Sequence, residues 1–418
     1  MLPSKLLKFA SSTIVARSAV AIPIAMVLAY SLPTSAYSQT PPPIASIAFS
    51  NDVEAALVRA LETLREGGIR AALREMDIVL EKNPNFQLGH LIKGDLLMAK
   101  SGAPLAFTGT TAQPELVASL QQEARARLTR YFDGPPIGYL PTALIQLAPE
   151  QRFVLLMDSD KSRLYVFKNI DGAPLLVTDF YISSGKKGVE KEREGDQKTP
   201  IGVYHITSAL PKEKLSDFYG TGAFPLNFPN EWDKRLGKTG SGIWIHGTPS
   251  TTYSRPPRAS DGCVVLTNDD FAAISKFVDP SITPIVIASK LEWKSPEQWI
   301  DAKSTFTDAL NKWQSDWEST NVDSYLANYS PQFEVDGKGF QDWALRKRRV
   351  GAGKNFIKVD ISNLSVLEYP LPSSAPPLMM VTFDQNYQSN NVSSQMKKRQ
   401  YWQLENGQWK IIYEGGAG

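Results

Sequence analysis

The hydrophobic periodicity of this 418-residue chain changes twice, and each change marks the border of a structural unit. From residue 51 to 132, apolar residues recur every three or four positions, as on one face of amphipathic helices. From Phe153 to Ala288 they form short β-branched and aromatic runs between turn residues, which is typical of strands. After residue 303 a helical stripe precedes four more strand-like runs. The pattern predicts a multidomain α+β protein.

The first unit, residues 51–132, is predicted to contain four helices. Gly67-Gly68 ends the first helix and Asn83-Pro84 ends the second, because glycine and proline interrupt helices. The third is expected over Phe86–Lys100 and the fourth over Pro114–Tyr131. We interpret this unit as an accessory module and as a candidate homodimer interface.

Residues 1–36 have the features of an export signal. Lys5 and Lys8 precede an apolar run, Ala19–Leu32, and small residues follow it. Cleavage would leave a Pro-rich linker, residues 37–50, ahead of the helices. An uncleaved membrane anchor is the alternative. Either way, we expect a periplasmic protein associated with the cell wall.

Charge and composition argue against two classes of partner. The chain has 45 basic and 43 acidic residues, so it lacks the dense positive charge that nucleic-acid binding requires. It has three histidines and one cysteine, and no pair of them has the spacing of zinc ligands. We therefore expect no nucleic acid, no metal and no cofactor.

The single cysteine, Cys263, lies in Ser260-Asp261-Gly262-Cys263-Val264-Val265-Leu266, seventeen positions after His246. A neighbouring imidazole raises the reactive thiolate fraction of a cysteine, so the pair predicts a nucleophile and its base. Gly262 allows a sharp bend, and the amides of Gly262 and Cys263 are candidate oxyanion-hole donors. A buried, unreactive cysteine is the structural alternative.

Four motifs carry a family resemblance: Ser183-Ser184-Gly185, Thr199-Pro200-Ile201-Gly202, His246-Gly247-Thr248 and Ser260-Asp261-Gly262-Cys263. In this order they resemble the YkuD-type L,D-transpeptidase domain of bacterial cell-wall enzymes, over residues 152–289. The nearest branch resembles YafK and the helical-cell-shape L,D-carboxypeptidases. The resemblance implies a mostly-β catalytic domain in which the carbonyl of Gly247 orients His246.

The chain departs from the family pattern at two positions. Asp261 stands where a second histidine is usual, and Val265 stands where an arginine is usual. Arg258 or Arg255 could replace that arginine, since arginine suits carboxylate recognition. We therefore predict substrate binding by Arg258, Ser260 and Asp261. His205 and His90 have no motif partner and are interpreted as structural.

Residues 303–418 resemble the cone-shaped, SnoaL-like fold of nuclear-transport-factor-like proteins. Asn406-Gly407 predicts a tight hairpin turn between its last two strands. Trp317, Tyr325, Trp343 and Tyr401 are candidates to line a pocket in the cone, although such aromatic residues also form cores.

The resemblance implies acyl transfer from peptidoglycan stem peptides at diaminopimelate, through a thioester on Cys263. An amine acceptor would make the protein an L,D-transpeptidase. Water would make it an L,D-carboxypeptidase, or an amidase that releases wall-attached protein, with effects on cell shape. A non-catalytic wall-binding scaffold is a further alternative, against which the intact His246, Gly262 and Cys263 argue.

Overall fold

A computed structural model describes residues 52–102 and 114–417. The predicted signal peptide, residues 1–36, and the predicted Pro-rich linker, residues 37–50, lie outside the described residues. Within the described ranges, no helix is long and apolar enough to cross a membrane. The helical, mostly-β and α+β units follow one another in the predicted order.

Four helices form the N-terminal helical module: α1 (Asp52–Arg65), α2 (Ile69–Lys82), α3 (Gln87–Ser101) and α4 (Pro114–Phe132). Their bounds agree closely with the helices predicted from periodicity. Gly67 follows α1 at φ +84°, a left-handed conformation that other residues rarely adopt. The apolar faces enclose a core centred on Met76 and Phe86, both fully buried.

The middle domain is built mainly from short strands. The strands between residues 140 and 294 are β1 (Leu140–Pro141), β2 (Leu144–Gln146), β3 (Phe153–Asp158), β4 (Arg163–Ile170), β5 (Ala173–Tyr181), β6 (Ser184–Gly185), β7 (Gly202–His205), β8 (Leu210–Pro211), β9 (Gly222–Pro225), β10 (Trp244–His246), β11 (Arg258–Ser260), β12 (Val264–Val265), β13 (Pro284–Ala288) and β14 (Trp293–Lys294). Two short helices, α5 (Glu231–Arg235) and α6 (Asn268–Ile274), lie among them.

Two sheets of this domain determine where the functional residues lie. The larger sheet has the order β5–β4–β3–β13–β7, and its first three strands are the predicted meander. The second sheet has the order β12–β10–β9–β8. One hydrophobic core, which includes Leu155 of the first sheet and Ile245 and Val264 of the second, lies between them. This core fixes the positions of β10 and β12.

The C-terminal domain packs helices against a curved antiparallel sheet. Its elements are α7 (Pro296–Glu318), α8 (Val322–Leu326), β15 (Glu334–Val335), β16 (Lys338–Gly339), α9 (Phe340–Gly351), β17 (Ile357–Glu368), β18 (Leu378–Ser389), β19 (Ser393–Glu405) and β20 (Gln408–Gly416). Helix α7 begins before the expected border at residue 303, because Ser295 and Gln298 form a capping box at its start. Asn406 and Gly407 form the predicted turn, with φ values of 49° and 77°.

The C-terminal domain shares a core with the middle domain, whereas residues 303–418 had been expected to form a separate unit. Strand β2 pairs with β17, with Leu144 opposite Leu367, and so completes the C-terminal sheet. The ring of Trp232 on α5 stacks on Tyr401 of β19, with centroids 5.3 Å apart. Tyr401 therefore packs at the domain junction and not in a pocket. Side chains from both domains form one hydrophobic cluster.

Buried ion pairs join the helical module to the middle domain. The carboxylate of Glu54 on α1 accepts hydrogen bonds from Arg127 on α4 at 3.0 Å and from Arg163 on β4 at 2.8 Å. Arg163 also pairs with Asp179, which accepts a 2.7 Å hydrogen bond from Arg130. Removing one partner of a buried ion pair costs about 3–5 kcal/mol. The network therefore holds the module in one orientation.

Candidate active site

His246 and Cys263 lie on neighbouring strands of the second sheet. Strands β10 and β12 run parallel, with Ile245 opposite Val264 and His246 opposite Val265. Ile245 and Val264 point into the core. Because side chains alternate along a strand, His246 and the residue just before Val264 project from the opposite face. That residue is Cys263, which directly precedes β12, so strand alternation predicts that its side chain lies on the same side of the sheet as that of His246.

The imidazole of His246 is buried, and its Nδ1 lies 2.7 Å from the carbonyl oxygen of Gly247, the acceptor that the resemblance implied. A carbonyl oxygen only accepts, so Nδ1 carries the hydrogen and Nε2 the lone pair. Burial lowers the pKa of His246 to about 4, against the effect of the Gly247 carbonyl and with a further contribution from the charge of Arg255. The ring is therefore a neutral base at neutral pH.

Gly247 is required because Asn268 packs against it. A Cβ on Gly247 would overlap the side-chain amide oxygen of Asn268. That oxygen accepts a 3.0 Å hydrogen bond from the main-chain N–H of Thr221, and the amide nitrogen donates to the carbonyl of Thr248 at 2.9 Å. A larger residue at position 247 would displace Asn268 and move the carbonyl that orients His246.

Aromatic rings surround the imidazole. The ring centroids of Phe218 and Tyr219 lie 5.7 Å and 5.1 Å from that of His246. Tyr219 also contacts Trp244 at 4.7 Å. These rings bury the imidazole, which is the main cause of its lowered pKa. The aromatic stretch after Leu215 was visible in the sequence, but its position beside His246 was not.

Cys263 is half-buried, and its Sγ lies 3.5 Å from the carbonyl oxygen of Gly242. Burial raises the pKa of the thiol, although the main-chain N–H of Trp244 and the charge of Arg255 lower it. We had expected His246 to raise the thiolate fraction. The directions of the two pKa shifts instead give a neutral thiol and a neutral imidazole. Attack by a neutral thiol requires a general base, and His246 is the candidate for that role.

The turn before Cys263 depends on Gly262 and Ser260. Gly262 has φ +127°, and a Cβ there would lie 2.7 Å from the carbonyl oxygen of Lys198. The hydroxyl of Ser260 accepts from the N–H of Gly262 at 3.1 Å and donates to the carbonyl of Cys263 at 2.6 Å. Ser260 therefore holds the turn, while its predicted role in substrate binding stays a prediction. The Gly262 amide, a predicted oxyanion-hole donor, is engaged by Ser260.

The four motifs of the sequence meet around this turn. The main chain of Ser183 exchanges hydrogen bonds with Val265, at 2.9 and 2.8 Å. The hydroxyl of Thr199 accepts from the N–H of Gly185 at 2.9 Å and donates to the carbonyl of Gly262 at 2.9 Å. Motifs that are far apart in sequence thus hold the main chain around the thiol.

The two positions that depart from the family pattern have different surroundings. The carboxylate of Asp261 is exposed, 2.7 Å from the ammonium of Lys186, and accepts a 3.2 Å hydrogen bond from Gln197. Val265 is buried in the ladder with Ser183. Asp261 is therefore a solvated, ion-paired group beside the nucleophile, and substrate binding by it stays a prediction.

Of the two candidate arginines, Arg255 acts on the pair. Its guanidinium carbon lies 4.9 Å from the ring centroid of Phe218, and its charge lowers the pKa of both His246 and Cys263. Arg258 is exposed on β11, beside β6, and its predicted contact with substrate stays a prediction. Only Pro256 and Pro257 separate the two arginines, so the sequence did not distinguish them.

The other two histidines have structural surroundings. His90 Nε2 lies 2.8 Å from the carbonyl oxygen of Pro84 and supports the turn between α2 and α3. The main-chain N–H of His205 donates to the side chain of Asn227 at 2.7 Å. Burial lowers the pKa of His205 to about 4, with a contribution from the charge of Arg399 in the C-terminal domain. In the part of the chain that the structure describes, no three His, Cys, Asp or Glu side chains cluster as metal ligands.

The C-terminal domain encloses a cavity of about 520 Å³. Three of the four predicted aromatic residues, Trp317, Tyr325 and Trp343, line it. The ammonium of Lys347 lies 4.2 Å from the ring centroid of Trp343, and burial lowers its pKa to about 8. The cavity thus combines aromatic walls with several cations, Lys347 and Lys398 among them, and with the carboxylate of Glu414.

Two family models match the chain. Residues 152–287 match the L,D-transpeptidase catalytic domain called YkuD, and residues 305–415 match the C-terminal NTF2-like domain of Cds6. No curated protein is significantly similar to the chain. The chain therefore contains a YkuD-type catalytic domain followed by an NTF2-like domain, which confirms both resemblances.

Two solved structures resemble most of the chain. Bd1075 of Bdellovibrio bacteriovorus has 27% sequence identity and a TM-score of 0.59, over 67% of this chain and 98% of that one. The helical cell shape determining protein Pgp2 of Campylobacter jejuni has 25% identity and a TM-score of 0.56, over 65% of this chain and 95% of that one. Both agree with the predicted branch. Residues 152–287 are thus a catalytic domain of the L,D-transpeptidase type, in a chain whose overall fold is similar to that of a cell shape determining protein.

Proposed function

We propose that the protein is a cysteine acyltransferase that cleaves peptidoglycan stem peptides at diaminopimelate. The observation that supports this most directly is the arrangement of His246. Its Nδ1 is held by the carbonyl of Gly247, which leaves Nε2 as the basic nitrogen, and Cys263 directly precedes the strand that pairs with the strand of His246. This is the arrangement that a general base for a thiol requires.

The first half of the reaction forms a thioester. The sulfur of Cys263 attacks the carbonyl carbon at the L-centre of diaminopimelate, while His246 Nε2 takes the thiol proton. The carbonyl oxygen becomes an oxyanion, for which the main-chain N–H of Cys263 is the candidate donor, because Ser260 already binds the N–H of Gly262. The bond to D-alanine then breaks, and the proton on His246 passes to the leaving amine. Diaminopimelate remains bound to sulfur as a thioester.

In the second half, an acceptor attacks the thioester and Cys263 leaves as the thiol. An amine acceptor gives a new peptide bond and defines an L,D-transpeptidase. The amine loses one proton to become nucleophilic and a second during bond formation, so it demands more from the bases of the site than water does.

Water as acceptor is a second candidate, which position 261 favours. The usual family pattern has a histidine there, whereas this chain has a carboxylate paired with Lys186 at 2.7 Å. A carboxylate held in an ion pair is a poorer substitute for the second imidazole of the family pattern as a proton acceptor. With His246 as the main base, hydrolysis to a shortened stem peptide is the simpler reaction, and the protein would act as an L,D-carboxypeptidase or an amidase.

Product analysis tests both proposals. The purified protein is incubated with a disaccharide tetrapeptide that ends in D-alanine, and products are identified by mass. Tripeptide with free D-alanine indicates hydrolysis, and a cross-linked dimer indicates transpeptidation. Neither product, or the same product from Cys263→Ala, would refute the proposed chemistry.

We also propose that the NTF2-like cavity binds glycan or peptide of the same polymer, outside the reacting centre. Its aromatic walls suit stacking on sugar or apolar groups, and Lys347 suits a carboxylate. We propose with it that the protein associates with the cell wall in the periplasm and affects cell shape. Dimerisation through the helical module stays a prediction, which sedimentation of the purified protein tests.

A further inference from the structure

The segment Tyr253–Arg255 connects the helical module to the active site. The ring of Tyr253 lies 4.9 Å from that of Phe86, which forms part of the core of the module. The hydroxyl of Ser254 donates a 2.6 Å hydrogen bond to the carboxylate of Glu123 on α4. Two consecutive residues of the segment are thus held by side chains from the helical module.

A second contact holds the main chain of Arg255. The hydroxyl of Tyr181 donates a 2.8 Å hydrogen bond to the carbonyl oxygen of Arg255. The ring of Tyr181 lies beneath the guanidinium of Arg127, 4.0 Å from its central carbon. Arg127 in turn donates to Glu123 at 3.0 Å. Glu123 and Arg127 are one helical turn apart on α4, and both are almost completely buried.

The side chain of Arg255 points from this segment to the catalytic pair. It lies over Phe218, which contacts the ring of His246. The charges that act on Cys263 come from three segments, through Arg255, Asp261 and Lys191. Lys191 is paired with Asp196 at 2.7 Å. Among the ion pairs of residues 52–102 and 114–417, none involves Arg255.

We propose that helix α4, through Glu123 and Arg127, positions Arg255 to bind the terminal carboxylate of the stem peptide. This inference rests on the proposed function, because it assigns the group that recognises the D-alanine end. A half-buried guanidinium without an ion pair suits an incoming carboxylate. Glu123 and Arg127 are positioning residues that act through Ser254 and Tyr181. The helical module is then part of the active-site scaffold.

One test does not depend on the substrate. Because Cys263 is the only cysteine, its alkylation by iodoacetamide can be followed against pH by mass, without ambiguity about the site. The charge of Arg255 favours the thiolate, so Arg255→Gln should move the midpoint of this profile to higher pH. Ser254→Ala combined with Tyr181→Phe should move the midpoint in the same direction, by a smaller amount. Ser254→Thr, which keeps the hydroxyl, should leave the midpoint unchanged.

Tyr131→Phe is the matched control, since it removes a 3.0 Å hydrogen bond from Tyr131 to Glu62 within the helical module, away from the segment. It should leave the profile unchanged. A wild-type profile for Arg255→Gln would show that Arg255 does not act on the thiol. A shift for Arg255→Gln with a wild-type profile for the combined variant would show that the module does not position it. Either result overturns the proposal.

A second test uses the tetrapeptide substrate with a free or an amidated D-alanine carboxyl group. Loss of a charged hydrogen-bonding partner typically weakens binding about 10- to 100-fold, so Arg255→Gln should raise KM by that factor for the free acid. For the amide, Arg255→Gln should change KM little. The Ser254→Ala, Tyr181→Phe double variant should also raise KM for the free acid, by a smaller factor. Equal effects on both substrates would overturn the carboxylate assignment. If the wild type turns over neither substrate, the proposed function fails, while the alkylation profile still reports on the positioning.

Discussion

Nδ1 of His246 lies 2.7 Å from the carbonyl oxygen of Gly247, its own neighbour in the chain. No carboxylate is needed to select the tautomer, because the main chain does so. The contact raises the pKa of His246, but burial outweighs it and lowers that pKa to about 4. Nucleophile and base are then both neutral at rest.

The pH dependence of turnover should reflect this lowered pKa. The rising limb of kcat/KM reports protonation of the free enzyme's base, so its midpoint is expected near pH 4 and not near 6.5, the usual value for histidine. Since burial raises the pKa of the Cys263 thiol, the rate should stay level through neutral pH. Rates of D-alanine release across a pH series measure this. A midpoint near 6.5 would contradict a buried, neutral base.

The same shift affects stability. His246 and His205 bind a proton less readily in the folded protein than in the unfolded chain, because burial lowers both pKa values to about 4. The unfolded chain therefore binds more protons between about pH 6.5 and pH 4, and the free energy of unfolding should fall as the pH falls through that window. Thermal unfolding followed at several pH values measures it.

Cys263→Ala should abolish turnover and leave the fold intact. The side chain is small and half-buried, so its loss should cost little stability, whereas the thioester cannot form without it. Activity and the thermal unfolding midpoint are measured on the same preparation. A variant that keeps most of its activity would refute catalysis by this cysteine.

Gly262→Ala should lower kcat by about 100-fold or more, the usual effect of disturbing oxyanion-hole donors. Position 262 has φ +127°, and a Cβ there would lie 2.7 Å from the carbonyl of Lys198. Gly353→Ala is the matched control, since nothing lies within 4 Å of a Cβ at that position. Turnover of the tetrapeptide by both variants is compared. Equal activities would mean that the turn tolerates the strain.

The role of the NTF2-like cavity should be tested with point variants. Deletion of residues 303–418 would expose the core shared with the middle domain. Lys347→Met removes one of the cations that line the cavity and should weaken binding to isolated cell-wall sacculi by about tenfold or more, as expected for a lost charged contact. Turnover of a small soluble muropeptide should not change. Lys358→Met, at an exposed position outside the cavity, is the control. Equal binding by the two variants would exclude this role for Lys347.

Arg163→Met should lower the free energy of unfolding by about 3–5 kcal/mol, because it leaves carboxylates of a buried network short of a partner. Arg163 pairs with Glu54 and Asp179, and all three are almost completely buried. Arg348→Met breaks an exposed ion pair with Asp323 and should cost less than about 1 kcal/mol. Chemical denaturation of both variants measures the difference. Similar small costs would show that the network is not needed for stability.

Much of this organisation was predictable because it depends on local patterns. The helices of the N-terminal module follow from apolar periodicity and their Gly and Asn-Pro boundaries. The pairing of Cys263 with His246 follows from motif order. Strand β2 was not found, because Leu144–Gln146 is only three residues long and its partner in β17 is far away in the sequence. The choice of Arg255 over Arg258 depends on Phe218 and Tyr181, which no local pattern connects to either arginine.

Strand β2 also affects the order in which parts of the protein can fold during synthesis. It is made early, but it pairs with a strand that is synthesised roughly 200 residues later, and such distant pairings form slowly. Until then Leu144, which is fully buried in the finished protein, has no strand to cover it. The part of the middle domain next to β2 is therefore completed only after the C-terminal strands have been made. A chain interrupted during synthesis should expose an apolar edge to chaperones and proteases in place of a finished enzyme.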